Sequence, residues 1–325
     1  MNNNDPLSID LNFQPIRVST LRGERPIPFS AYIKIGDRHI LYCRNGDSFE
    51  GERLERLKAK KLNRLFILEK DRPKYEKYLR ENVDEAFDAH SNKDLLSKVL
   101  VIQGHQQAIA EEIMENPEDE QFYIMGVNSG QRFSEFIRKN ELALKCLLSI
   151  KNEDFSISQH GVNVAALALS ITEHFQRPEL EFKRLDLLVL GALIHDIGCQ
   201  GIDLPLQTSR LKFSKEELKN YKCHPQLGIE RIRSLQHIDG IVLNIIHEHE
   251  EFIDGSGFPQ KLVERQIDPY AQIVGVANTY DRLINLENKA PSEALKFMII
   301  DSMGLHPLDM MKALQDALKK GHLLK

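Results

Sequence analysis

At 325 residues the chain is about twice the usual size of one domain, and its 42% apolar and 28% charged residues are those of a globular protein with two domains. A net charge of −5 excludes a general nucleic-acid footprint. The longest apolar run, Leu187 to Ile194, falls well short of the roughly 20 residues a membrane helix needs.

The first residues, Met1 to Pro6, lack the basic start and apolar core of a signal peptide, so the cytoplasm is the expected compartment. Cys43, Cys146, Cys199 and Cys223 are scattered and form no Cys-x-x-Cys pair, which argues against a disulfide framework or a zinc ribbon.

In chain order, Ala31 to Ile35 and His39 to Cys43 are β-rich runs joined through Gly36-Asp37-Arg38, a hairpin pattern. A helix is expected from Glu52 to Lys60, with Leu54, Leu57 and Leu62 at helical spacing, followed by a strand from Leu65 to Leu68. Between Gly51 and Arg80, eleven Lys and Arg face five Asp and Glu. A solvated amphipathic helix accounts for this better than a phosphate or acidic-partner patch.

From Pro73 onward helical periodicity dominates. Lys93 to Met114 and Ser134 to Ile150 read as long helices, separated by a Pro-Glu-Asp-Glu segment and the turn-prone Asn128-Ser129-Gly130. Further helices are expected over Ile157 to Phe175, Arg184 to Ile197, Lys215 to Asn220, Pro225 to Ser234, Asp239 to Phe252 and Ala271 to Leu286, with one or two more after Pro291. The pattern predicts a mostly α chain. A small α+β N-terminal domain over 1–85 is followed by a connector of long helices over 86–152 and an all-helical domain over 153–325.

Seven of the twelve histidines fall between His160 and His249. The run Leu187 to Ile194 is apolar on every side and therefore buried, yet it delivers His195-Asp196 at its end, before a Gly198 suited to stop it. A buried carboxylate needs a cation, and a metal or a salt-bridge partner supplies one. His160 shares a face with Val164, Leu167 and Ile171, and His224 stands before Pro225 at a helix start. Helical phase over 239–252 puts His249 and Glu250 on the apolar face with Ile245 and Ile246. It puts Asn244, His247, Glu248 and Glu251 on the other. His174, His237 and His247 are expected at the surface. In Asp254-Gly255-Ser256-Gly257-Phe258-Pro259, two glycines predict a sharp loop that could bring backbone amides close to a phosphate.

His160, His195-Asp196, His224, His249-Glu250, the Gly-Ser-Gly-Phe-Pro loop and Val276-Ala277-Asn278 through Asp281 stand in an order that resembles the HD-GYP family. That family is a branch of the HD superfamily of metal-dependent phosphohydrolases and degrades cyclic di-GMP. The resemblance covers roughly 155–318, about half the chain.

The resemblance implies an HD-type helical domain around two metal ions, iron or manganese. Asp196 would bridge the ions, with His160 and His195 toward one, His224 and His249 toward the other, and Glu250 and Asn278 completing the ligands. A hydroxide between the ions would attack phosphorus.

Against the family pattern, Glu250 replaces a His, Asn278 an Asp, and Ser156 the Glu of three-metal members. Asp281, one turn beyond Asn278, could support it or replace it. Catalysis would rest on Asp196 and on Cys199, which replaces the family Lys. Gly255, Gly257 and Phe258, a Phe in place of Tyr, would meet substrate together with Lys289, the one cation in 286–291.

The implied function is cyclic di-GMP hydrolysis, with activity weakened by these losses. The alternative is a degenerate signalling module that keeps its metals for structure and meets other cyclic di-GMP signalling proteins through the Gly-Ser-Gly-Phe-Pro loop. Neither DNA nor membrane is an expected partner. Cys199 and Cys223 read as small buried hydrophobes, and the N-terminal domain as regulatory or sensory.

Overall fold

The computed structural model describes residues 12–21, 25–48, 62–150, 156–175 and 182–324. The expected helix Glu52 to Lys60 lies outside them. The chain divides into two compact units, 1–105 and 106–325.

In the first unit, β1 (Phe13–Arg17), β2 (Ala31–Ile35), β3 (Arg38–Cys43) and β4 (Arg64–Leu68) form an antiparallel sheet in the order β1-β4-β2-β3. The hairpin β2–β3 turns at Gly36, whose φ of +58° is the left-handed conformation glycine tolerates. β1 is absent from the sequence reading because Pro15 interrupts its alternation. It is an edge strand, the place where a missing amide proton does least harm. Helix α1 (Arg72–Phe87) contributes Tyr78 to a core with Leu21, Ile27, Phe29, Leu65 and Ile67. Among the described basic residues, Arg72 pairs with Glu76 at 2.9 Å and Lys74 with Asp71 at 2.7 Å, as expected of a solvated amphipathic helix.

The rest is helical: α2 (Leu95–Glu115), α3 (Glu120–Lys139), α4 (Ala143–Leu148), α5 (Ile157–His174), α6 (Leu185–Ile194), α7 (Lys215–Tyr221), α8 (His224–Ile232), α9 (Gly240–Glu248), α10 (Pro269–Asn285), α11 (Pro291–Lys296) and α12 (Leu308–Lys320). The expected turn at Asn128-Ser129-Gly130 is mid-helix in α3. Ser129 is buried there and accepts from Gln106 at 2.8 Å. Gly130 serves helix packing rather than a turn, since a Cβ would come within 2.7 Å of the Asp186 carbonyl oxygen. The long helix expected to end at Ile150 breaks at Asn140 instead.

The centre of this unit is α6, buried along its whole apolar length from Leu187 to Ile194. With no polar stripe it must be covered on all sides, and α3, α5 and α9 pack around it. Ser156 caps α5 and Asp268 caps α10, the latter accepting from the Tyr270 amide at 2.8 Å. Among the described residues no helix is long and apolar enough to cross a membrane.

Candidate metal centre

Five elements deliver polar groups to the lower end of α6. His160 comes from the first turn of α5, His195 and Asp196 from the C-terminal end of α6, and His224 from the start of α8. His249 and Glu250 come from just past α9, and Asn278, Asp281 and Arg282 from α10. All nine are at least nine-tenths buried.

Gly198 does not act as a helix stop. It sits in a short 3-10 turn, Ile197–Cys199, that packs against α8, and a Cβ there would lie 1.9 Å from the His224 carbonyl oxygen. This close approach brings His224 over Asp196.

Three imidazoles share one arrangement. His195 Nδ1 lies 2.7 Å from the Ala192 carbonyl, His224 Nδ1 2.8 Å from that of Tyr221, and His249 Nδ1 3.0 Å from that of Ile246. A carbonyl only accepts, so each Nδ1 carries a proton, the tautomer that leaves Nε2 as the ring's ligand atom. Those nitrogens converge on Asp196. His224 Nε2 and His249 Nε2 are 3.0 Å apart and lie 3.2 Å and 3.5 Å from Asp196 Oδ1, while His195 Nε2 is 3.5 Å from Oδ2. Among the described residues neither His195 Nε2 nor Asp196 Oδ1 has a hydrogen-bond partner. Two buried ligand atoms without a partner fit a cation, and this donor set suits a transition-metal ion.

Charge agrees with that geometry. Burial holds the His195 imidazole well below its ordinary value, hence neutral. Burial would raise the Asp196 carboxyl, but His195 and Arg282 beside it hold it well below the usual range.

On the other side of Asp196, His160 Nε2 is 3.8 Å from Oδ2 and 3.0 Å from Asn278 Oδ1. Asp281 reaches His160 Nδ1 at 2.6 Å rather than Asn278, and it also accepts from Asn163 at 2.9 Å. It therefore orients His160 from behind, as an outer carboxylate orients a ligand imidazole.

Groups of three ligand atoms within 4.8 Å of one another are, among the described residues, His160-His195-Asp196 and Asp196-His224-His249. Glu250 belongs to neither. Its Oε2 accepts from Arg210 at 2.6 Å, and its Oε1 from Tyr221 at 2.7 Å and from Asn278 at 3.3 Å. Burial would raise its carboxyl, but Arg210 and Arg282 hold it low.

The sequence reading missed Arg282, Arg210 and Tyr221. Arg282 donates from Nη2 to Asp196 Oδ2 and from Nε to Asn278 Oδ1, both at 2.8 Å. Its place four residues after Asn278, one turn along the same face, was a usable signal. Arg210 comes from a short 3-10 turn with no periodicity to give it away.

The expected substrate contacts divide. Phe258 lies beside the cluster, its ring centroid 6.1 Å from those of His224 and Tyr221, with Lys222 Nζ 5.6 Å from its own. Gly257 is pinned, since a Cβ would come within 2.3 Å of the Phe252 amide nitrogen, and Gly255 has a φ of +79°. The loop amides of Gly255, Ser256 and Phe258 donate to Phe252, Asp254 and Glu250 of the protein itself.

Glu251, placed by phase on the outer face, is buried and accepts from the amides of Lys261 and Leu262 at 3.0 Å, tying down the segment after the loop. Lys289 stands 3.7 Å from Glu287 and 5.0 Å from the Phe297 ring. Burial pushes the Cys199 thiol well up, so a neutral group stands where the family pattern has a cation. Cys223 is exposed rather than buried.

The helical fold and the His-Asp cluster at the end of a buried helix define an HD domain. Residues 140–309, just over half of the chain, match the family model described as HD domain. Among solved structures, an HDG"Y"P protein from Bdellovibrio bacteriovorus is 42% identical, covering 95% of this chain and 100% of its own, with a TM-score of 0.88. The chain belongs to the HD-GYP family.

A cyclic di-GMP phosphodiesterase from Pseudomonas aeruginosa is 28% identical over 141 residues, 43% of this chain and 33% of its own length. The cyclic di-GMP phosphodiesterase response regulator RpfG from Xanthomonas campestris is 27% identical over 150 residues, 46% of this chain and 39% of its own. The chain thus spans well under half the length of these curated relatives.

Proposed function

We propose that the chain is a metal-dependent phosphodiesterase acting on cyclic di-GMP in the cytoplasm. One observation carries the reading: the Nε2 atoms of His195, His224 and His249 converge on Asp196 in a chain related to cyclic di-GMP phosphodiesterases. A bound ion, iron or manganese, would polarise a phosphodiester oxygen and make water acidic enough to attack near neutral pH.

The chain's own residues supply the rest. Asp196, His224 and His249 would hold the ion, with His195 3.5 Å from the other carboxylate oxygen. Asp281 orients the His160 ring through Nδ1. The half-buried Phe258 ring offers a flat apolar face for a base, and Lys222 beside it a cation for a phosphate. Cys199, uncharged, contributes no phosphate contact, which lowers turnover. The N-terminal unit takes a regulatory or sensory role.

Incubating metal-loaded protein with cyclic di-GMP and following linear dinucleotide or GMP tests this. Loaded protein that forms no product with either iron or manganese would overturn the enzymatic reading. A second reading, a signalling module that binds partner proteins through the Gly-Ser-Gly-Phe-Pro loop, is favoured by Glu250, whose two oxygens are committed to Arg210, Tyr221 and Asn278. Retained metal and specific partner binding without turnover would support it.

A further inference from the structure

We infer that the Arg282 guanidinium stands in for one of the two metal ions, so that the chain binds a single ion, on the Asp196 Oδ1, His224 and His249 side. This rests on the metal-centre reading above and sharpens its count.

The two carboxylate oxygens of Asp196 have different neighbours. Among the described residues Oδ1 faces histidine nitrogens, at 3.2 Å and 3.5 Å. Oδ2, toward His160 and His195, accepts from Arg282 Nη2 at 2.8 Å. The same guanidinium donates from Nε to Asn278 Oδ1. It therefore engages both the oxygen that would bridge to a second ion and the amide oxygen that would ligate it. A metal needs those lone pairs, and a guanidinium donor pointed at them competes directly for them.

Charge excludes sharing. Arg282 is buried and cannot turn its head into water, so a second divalent ion on Oδ2 would face a fixed cation in a low-dielectric site. The anions that could offset such crowding are committed. Glu250 is paired with Arg210 and Tyr221, Asp281 with His160, Asn163 and Asn285, and position 278 carries a neutral amide. Asp196 with one ion and one guanidinium satisfies the groups present. Arg282 is on this account a positioning residue that presets Asp196 and Asn278.

The test is metal content, read independently of turnover. Wild type, Arg282→Ala and Arg282→Gln are loaded with excess manganese, desalted and analysed for metal per chain, and folding is checked by thermal unfolding. The expected result is about one equivalent in wild type and a doubling in either variant.

Manganese spin resonance of wild type alone should show an isolated ion, without the exchange coupling of an ion pair, so the inference stays testable if both variants fail to fold. A coupled pair or two equivalents in wild type would overturn the role of Arg282 and leave the metal centre standing. One equivalent in folded variants would also overturn it. No retained metal in any of the proteins would overturn the metal reading itself.

Discussion

Gly198→Ala places a methyl group where the fold leaves no space. Its Cβ would stand 1.9 Å from the His224 carbonyl oxygen and 2.5 Å from the Gly228 amide nitrogen. Both are backbone atoms of α8, so no side-chain rotation relieves the overlap. An ordinary carbon–oxygen approach is about 3.3 Å, so α8 must retreat by roughly 1.4 Å. Overpacking of a well-filled core costs about 1–3 kcal/mol, and a backbone obstacle puts this substitution near 3 kcal/mol. For a unit of this size that corresponds to a fall of about 6–12 °C in Tm.

His224 moves with α8. Its Nε2, now 3.0 Å from His249 Nε2 and 3.2 Å from Asp196 Oδ1, leaves the other donors, and manganese affinity drops as well. Thermal unfolding with and without chelator, together with manganese titration, reads both effects. An unchanged Tm and an unchanged manganese affinity would refute the claim that this close approach positions His224.

Burial lowers the His306 imidazole from 6.5 to about 4, where it contacts Thr279 at 2.9 Å. Between those values the unfolded chain binds a proton that the folded chain refuses. Stability is therefore full above pH 6.5 and falls by roughly 3 kcal/mol on descending to about 4. Denaturant midpoints for His306→Asn should fall less over this range than those of wild type, and equal slopes would contradict the assignment.

Arg210→Ala strands the Glu250 carboxylate, at a cost of about 3 kcal/mol or somewhat less, since Arg210 is a quarter exposed. Adding Glu250→Gln should recover much of this loss, whereas an additive double variant would show that the pair does not act as a unit. Chelator should lower the Tm of wild type by several degrees and leave Asp196→Asn unmoved. A ligand at a hundred times its Kd contributes about 2.7 kcal/mol, so equal shifts in both proteins would remove Asp196 from the site.

Much of the fold was legible because burial writes its period into the chain. The all-apolar Leu187 to Ile194 announced a central helix, and the β2–β3 hairpin and β4 followed from alternation. β1 was not legible, because Pro15 breaks its pattern. Asn128 to Gly130 was misread because a glycine that lets helices approach looks locally like one that turns the chain.

At the site, His160, His195, Asp196, His224 and His249 could be picked out by helical face and motif order, and the structure brings them together. Glu251 defeated the phase argument because α9 ends at Glu248 and the periodicity stops with it. Glu250 was correctly placed inward, yet its partners Arg210 and Tyr221 lie 40 and 29 residues away, a pairing no local pattern encodes.

We read the buried His-Asp cluster as a metal centre. Crystals grown with manganese and measured near its absorption edge test it directly. An anomalous-scattering peak is expected at roughly 2.0–2.3 Å from His224 Nε2, His249 Nε2 and Asp196 Oδ1. Crystals of folded, manganese-equilibrated protein with no peak among those three atoms would contradict it.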